Sequence, residues 1–314
     1  MMARGLVLAC ALAMTACALA MTACAHTHRL DSAARSQLVA RGAAARFIAV
    51  PLGTMHVRIE GPADGPVALL IHGGVVGGYA FERWRAPLVA AGFRVIIPDL
   101  LGYGYSDRPD RDYTEQFYVE QLAQLLDALD VRTPVELVGA SMGGAIATAL
   151  AAAHPDRVRA LALIAPSGGG GSPPVSGALL WPMIGDFAFH FFGTSSMKDQ
   201  IATAYAGSPY RAGMVQWMDS QTSFRGFSSG VLNTLRHFNA NWQPDAYRAL
   251  GRSGTPVLVV WGTADTVNPF TQARTLAGWV PQLQLASLAG KSHAITFGEA
   301  DAVLAVVLPF LCSH

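Results

Sequence analysis

The chain has 314 residues, 52% of them hydrophobic and 14% charged, with a formal net charge of +1. That length suits one large α/β domain with an insertion, once an N-terminal segment is set aside. A near-neutral chain without basic runs argues against nucleic acid as a partner, and a charged fraction well below the typical ~25% points to an apolar ligand or a membrane neighbour.

Residues 1–24 read as a lipoprotein signal. Met1 to Arg4 is short and basic, and Gly5 to Ala25 carries no charge. The heptad Ala-Leu-Ala-Met-Thr-Ala-Cys occurs in tandem at 11–17 and 18–24. A basic start, an apolar core and small residues before a cut describe an export signal. The ending Met21-Thr22-Ala23-Cys24 resembles a bacterial lipobox, with Met21 where Leu is usual. This implies Cys24 as the lipidated first residue of the mature chain. Cutting at Cys17 would leave another apolar heptad exposed. Plain cleavage after an alanine and an uncut membrane helix are the alternatives, since about 20 apolar residues can span a bilayer. In the lipoprotein reading the chain is exported and membrane-anchored, facing the periplasm or the cell surface. Ala25 is not acidic, which points to the outer membrane. Cys10, Cys17, Cys24 and Cys312 show no metal-type spacing with histidine and no disulfide framework. Residues 25–45 are polar and Ala-rich, as in a tether or an irregular lead-in helix.

From residue 46 the folded core begins. Arg46 to Val50 and Thr54 to Glu60 flank Pro51-Leu52-Gly53 and predict a hairpin. Val67 to Ile71 is a short buried strand, followed by His72-Gly73-Gly74, a loop whose glycines let backbone approach a ligand closely. A flexible connector or a phosphate loop would use similar glycines, but no Lys-Ser/Thr follows. His72 reads as a buttress of this loop. Phe81 to Ala91 has helical spacing, and Phe93 to Ile97 is another strand. Asp99 and Ser106, in the glycine-rich stretch after it, read as loop-folding residues. Asp112 to Leu129 is an amphipathic helix with Tyr118, Leu122, Leu125, Leu126 and Leu129 on one face.

Pro134 to Val138 is again a buried strand, and Met142 to Ala153 is built of small helix formers. Gly139-Ala140-Ser141-Met142-Gly143 lies between them. A residue in so tight a strand-to-helix turn is strained and carries its side chain exposed above the sheet. Its neighbours must be small. The Met142 N–H, at the start of the helix, has no intrahelical partner and can face whatever Ser141 attacks.

After the strand Arg159 to Ala165 the alternation breaks. Gly168 to Pro174 reads as a hinge-like connector. Residues 167–250 hold many aromatics and no strong strand, which predicts a helical cap. Most of its aromatics are expected to pack the cap's own core, and a few to make the pocket apolar. The core resumes over 251–314. Pro256 to Trp261 is a strand that ends before Asp265, and Pro269 is placed to open a helix. Leu283 to Leu288 is the last strand, ending before His293, and Glu299 to Leu311 is the final helix. Strands alternating with helices predict a mostly parallel sheet covered on both faces, with ligands beyond the strands' carboxyl ends.

Ser141, Asp265 and His293 thus each follow a strand. A serine hydroxyl needs a neutral imidazole to take its proton, and the imidazole needs a carboxylate to fix its tautomer. These motifs, with His72-Gly73-Gly74, Asp99-x-x-Gly-x-Gly-x-Ser106 and Trp261-Gly-x-x-Asp265, resemble the α/β-hydrolase family over residues 46–311. The resemblance implies an eight-stranded, mostly parallel sheet, the first strand antiparallel, with a cap after strand six. It implies Ser141, Asp265 and His293 as catalytic triad, and Gly74 and Met142 N–H groups as the oxyanion hole. No metal or organic cofactor is required.

Departures narrow the chemistry. Epoxide hydrolases and haloalkane dehalogenases of this fold have an Asp nucleophile. Carbon–carbon hydrolases of the meta-cleavage type usually carry Asn before the serine and Trp after the histidine, where this chain has Ala140 and Ala294. Prolyl iminopeptidases carry Trp after the serine, where this chain has Met142. The expectation is a serine carboxylesterase, lipase-like and capped, acting on small-molecule esters with an apolar acyl or alcohol group. Carbon–carbon hydrolysis and a non-catalytic binding role on the same fold are the alternatives.

Overall fold

The computed structural model describes residues 28–41, 44–171 and 177–314. The signal and anchor assigned to residues 1–24, with Cys10, Cys17 and Cys24, lie outside the described residues, as do residues 172–174 of the connector.

Eight strands form one sheet: β1 (Ala45–Val50), β2 (Gly53–Glu60), β3 (Val67–Ile71), β4 (Arg94–Pro98), β5 (Val135–Ala140), β6 (Val158–Ile164), β7 (Val257–Gly262) and β8 (Leu283–Leu288). Their order is β1-β2-β4-β3-β5-β6-β7-β8. β3, β5 and β7 are buried along their whole length, as expected of strands covered on both faces. One expectation is corrected. The strand that runs against the others is β2, antiparallel to both β1 and β4. Only Pro51 and Leu52 separate β1 from β2, and so short a link can join strands only by reversing the chain.

The helices of the first half are α1 (Ser32–Arg41), α2 (Arg85–Ala90), α3 (Glu115–Ala128) and α4 (Met142–Ala153). The Thr114 side chain accepts from the Phe117 N–H and so caps α3, while Tyr118, Leu122, Leu125 and Leu126 turn into the core. Helix α1 lies within the stretch read as tether or lead-in helix. It docks on the core: Arg35 pairs with Asp107 and lies 5.3 Å over the Phe47 ring. Just ahead of it, His28 exchanges backbone hydrogen bonds with Ser223 and Arg225.

The cap rises after β6 as α5 (Gly177–Leu180), α6 (Ile184–Ala188), α7 (Thr194–Ala204), α8 (Arg211–Thr222) and α9 (Phe227–His237). At its base, residues 168–170 are tied to the chain that leaves the cap. The Gly170 N–H donates to the Asn241 carbonyl at 2.9 Å, and the Gln243 N–H to the Gly168 carbonyl at 3.0 Å. The next helix, α10 (Pro244–Ser253), packs on α4, and the Tyr247 hydroxyl donates to the Ser167 carbonyl at 2.7 Å. The chain closes with α11 (Gln272–Trp279), α12 (Ile295–Gly298) and α13 (Ala300–Cys312). Pro269 lies in the turn before α11 rather than at its first residue, and its carbonyl accepts from the Gln272 N–H. Among the described residues, no helix is long and apolar enough to cross a membrane.

Candidate active site

Ser141 joins β5 to α4 with φ 52° and ψ −121°, a conformation that L side chains rarely adopt. The surroundings hold it there. The Ser141 N–H donates to the Ile164 carbonyl at 2.9 Å, and the Ser141 carbonyl accepts from the Gly144 and Ser167 N–H groups. A side chain at Gly143 would overlap the Ile71 and His72 carbonyls, and one at Gly139 would overlap α4. The two glycines therefore let helix and strands meet closely enough to expose the hydroxyl.

Asp265 leaves the end of β7, and His293 lies in the loop after β8. His293 donates its Nδ1–H to Asp265 Oδ2 at 2.8 Å, because an ionised carboxylate can only accept. That leaves the Nε2 lone pair facing Ser141 Oγ, 3.0 Å away. The other carboxylate oxygen, Oδ1, accepts the N–H groups of Val267 and Asn268, each at 2.9 Å. Asp265 is thus fixed before histidine meets it, as a group that orients a base must be. The chain brings together three residues separated by 152 and 28 positions in sequence.

The glycine loop closes over Ser141 from the β3 side. A side chain at Gly73 would come 3.1 Å from Ser141 Cβ, and one at Gly74 would come 3.7 Å from Met142 Sδ. Gly74 therefore lies beside Met142, and both line the same cavity as Ser141. His72 supports the loop from beneath, donating from Nδ1 to its own neighbour's carbonyl at Gly73 (2.7 Å) and accepting the Leu100 N–H at Nε2 (2.9 Å). Burial depresses its pKa although Asp99 opposes this, which favours the neutral imidazole that this pattern requires.

Asp99 and Ser106 fold loops. Asp99 accepts from the Gly78 and Tyr105 N–H groups and pairs with His56 at 2.9 Å. Burial pushes its carboxyl up. His56, the nearby His72 and the Tyr105 N–H outweigh that and hold it well below the usual carboxylate range. Ser106 Oγ donates to the Asp99 carbonyl and accepts the His56 N–H.

Two features escaped sequence reasoning. Asn268 donates from Nδ2 to the Ala165 carbonyl and Ser167 Oγ, which ties the Asp265 turn to the end of β6. Its signal was local, an Asp three residues before an Asn in a turn. Tyr103 lies in the pocket wall, its hydroxyl bonded to Thr234 of α9. No local pattern marks that pairing.

The site opens into a cavity of about 1440 Å³ between the core edge and the cap. Phe189, Phe192, Val231 and Phe238 of the cap line it. Among the described lining residues Arg236 is the one lysine or arginine, and it is held by Asp186 at 2.9 and 3.2 Å and by the Trp181 carbonyl at 3.1 Å. The cap aromatics divide as expected between packing and pocket only in part, since Trp181, Phe187, Phe192 and Trp242 are exposed. Among the described residues, no group of three or more His, Cys, Asp or Glu is placed to hold a metal ion.

Residues 66–300 match the family model of the alpha/beta hydrolase fold. The chain is 32% identical over 229 residues to a 2-hydroxymuconate semialdehyde hydrolase of Pseudomonas sp. (strain CF600), covering 69% of this chain and 76% of that protein. It is 30% identical over 285 residues to an enzyme of the same name from Pseudomonas putida, covering 82% and 90%. Among solved structures, the enol-lactonase from Burkholderia xenovorans LB400 superposes with a TM-score of 0.73 at 24% identity, over 85% of this chain and all of that one. With its fold, its serine turn and these relatives, the chain is a hydrolase and belongs to the α/β-hydrolase family.

Proposed function

We propose that the chain is a serine esterase for substrates with an apolar acyl or alcohol group, acting through an acyl-enzyme. The observation that carries this reading is the Ser141–His293–Asp265 relay opening into an apolar cavity whose one lining arginine is already paired. Ser141 Oγ attacks the ester carbonyl carbon as its proton passes to His293 Nε2. The Gly74 and Met142 N–H groups hold the oxyanion. His293 returns the proton to the leaving alcohol, and the C–O bond breaks. Water then gives a proton to His293 and its hydroxyl to the acyl carbon; the acyl–Oγ bond breaks as His293 returns that proton to Ser141 Oγ, freeing Ser141 and the acid.

A second reading is carbon–carbon hydrolysis, and the sequence relatives favour it over the ester. Their named substrate, 2-hydroxymuconate semialdehyde, has no ester to cleave, so its hydrolysis breaks a carbon–carbon bond. It is also a carboxylate. A pocket for it would gain from a free cation, and Arg236 is engaged with Asp186. Ala140 and Ala294, where such hydrolases usually carry Asn and Trp, point the same way as the pocket does. A non-catalytic binding role would have no use for the complete relay.

The test is a panel of p-nitrophenyl esters, acetyl to palmitoyl, run beside a meta-cleavage-type dienoate. Turnover of esters with a fluorophosphonate-sensitive serine supports the esterase. A dienoate preferred by orders of magnitude in kcat/KM overturns it for the second reading.

A further inference from the structure

The cap's outer face is unusually apolar for a surface. Trp181, Met183 and Ile184 are 61%, 82% and 56% exposed, and Leu180, Phe187 and Phe192 are exposed beside them. Between Gly177 and Gly193 the sequence has a single Asp, Glu, Lys or Arg, which is Asp186, and Arg236 pairs with it. Scattered apolar side chains on a surface are ordinary, but a cluster of large ones whose one charge is already paired marks an interaction site. Leu180 and Phe192 also line the cavity that holds Ser141, so this face borders the route to the nucleophile.

The N-terminal approach bears on what covers it. Gly5 to Ala25 has no charged residue, and the described chain begins at His28, bonded to Ser223 and Arg225 of the cap. A membrane-held N-terminus would therefore draw the cap, rather than the opposite edge of the sheet, toward the lipid. We propose that the face carrying Leu180, Trp181, Met183, Ile184, Phe187 and Phe192 is a lipid-docking surface that seats the cavity mouth in a bilayer interface, where apolar esters partition. Tryptophan with neighbouring large aliphatic side chains suits that interface, because the indole is apolar in body and polar at its N–H. The docking itself does not depend on which bond the enzyme cleaves.

The experiment uses the full chain reconstituted in phosphatidylcholine vesicles, with brominated acyl chains as quencher. Wild type is compared with Trp181→Phe, and the difference spectrum isolates the Trp181 emission. Acrylamide is the aqueous quencher, applied with and without vesicles. The expected result is quenching of Trp181 by bromolipid and protection from acrylamide only when vesicles are present. Met183→Glu with Ile184→Glu, two exposed residues outside the cavity wall, should lower bromolipid quenching. It should also lower turnover of a bilayer-dispersed ester by about tenfold, the equivalent of losing one buried apolar side chain, and leave turnover of a soluble acetyl ester unchanged. Trp181 open to acrylamide in vesicles would overturn the proposal. So would protection without vesicles, which would assign the face to the N-terminal segment or to a second copy. Absence of all ester turnover would sink the esterase reading, while the quenching arm would still decide the docking.

Discussion

The Tyr103 hydroxyl donates a 2.8 Å hydrogen bond to Thr234 Oγ1, joining the loop after β4 to cap helix α9. Tyr118 makes a second bond to the same oxygen at 2.7 Å, and the Thr234 hydroxyl itself donates a hydrogen bond to the Gly230 carbonyl. All three side chains are buried. Burial pushes the Tyr103 phenol up to about 12, so it stays a donor across the working pH range.

Thr234→Val keeps the shape and removes the shared acceptor. Two buried hydroxyls then lose their strongest partner, while Tyr103 keeps the Met142 sulfur 3.9 Å away, and each group left poorly satisfied costs up to about 1–3 kcal/mol. Tyr103→Phe removes one donor and leaves the other bond intact, so its cost should be smaller. Denaturant melts of both variants check the order. Equal or reversed costs would show that the cap is not held through Thr234.

Ser141→Ala should abolish turnover while the fold persists, because the side chain is small and faces the cavity. The loss should approach the ~10⁶-fold in kcat seen for nucleophile removal in another serine hydrolase. Intact-mass analysis with a fluorophosphonate should show one adduct on the wild type and none on the variant. Turnover retained in a folded variant would exclude Ser141 as nucleophile.

Asp265→Asn tests the orienting role. The amide can still accept from Val267 and Asn268 through its oxygen, but presents the wrong group to His293 Nδ1–H. A fall of about 10⁴ in kcat is expected, as for the equivalent change in a serine protease triad. The thermal midpoint should move little by comparison. A fall of less than tenfold would remove Asp265 from the relay.

Glu136 supplies a pH prediction away from the site. It is buried in β5, and burial raises its pKa to about 7, with Arg159 opposing. A folded pKa above the unfolded one means that the native state binds the proton more tightly. The associated stability is therefore present at low pH and is lost as pH rises from the unfolded value of 4.5 through about 7. Glu136→Gln mimics the protonated form, so it should raise Tm more at pH 8 than at pH 5. Thermal melts at the two pH values check this, and a larger gain at pH 5 would contradict it.

Gly143→Ala should destabilise the elbow although the position is helical, because the added methyl meets the Ile71 and His72 carbonyls. Overpacking of this kind costs about 1–3 kcal/mol. Activity should fall with it, since relief requires α4 to move away from the glycine loop. A variant with wild-type Tm and kcat would show that the elbow is not packed as tightly as this geometry requires.

The sequence by itself determined the sheet strands, the elbow and the order Ser141, Asp265, His293. Each is a local signal: an apolar run of strand length, a glycine pair around a serine, or a polar residue just past a strand. It also marked His72, Asp99 and Ser106 as loop supports, because short polar side chains in glycine-rich turns bond to nearby backbone. The running direction of β2 depends on pairing with β1 and β4, and the resemblance placed the reversal one strand too early. Tertiary structure alone decided what depends on contacts distant in sequence. Tyr103 meets Thr234 across 131 positions, and Asn268 reaches Ser167 across 101. The backbone hydrogen bonds of Gly170 to Asn241 and of Gln243 to Gly168 likewise join residues that no local pattern pairs. The cap's aromatics were visible in the sequence, but helical spacing cannot separate a core face from an outer one when both are apolar. Only the packed cap shows Phe189 turned inward and Trp181 left on the surface.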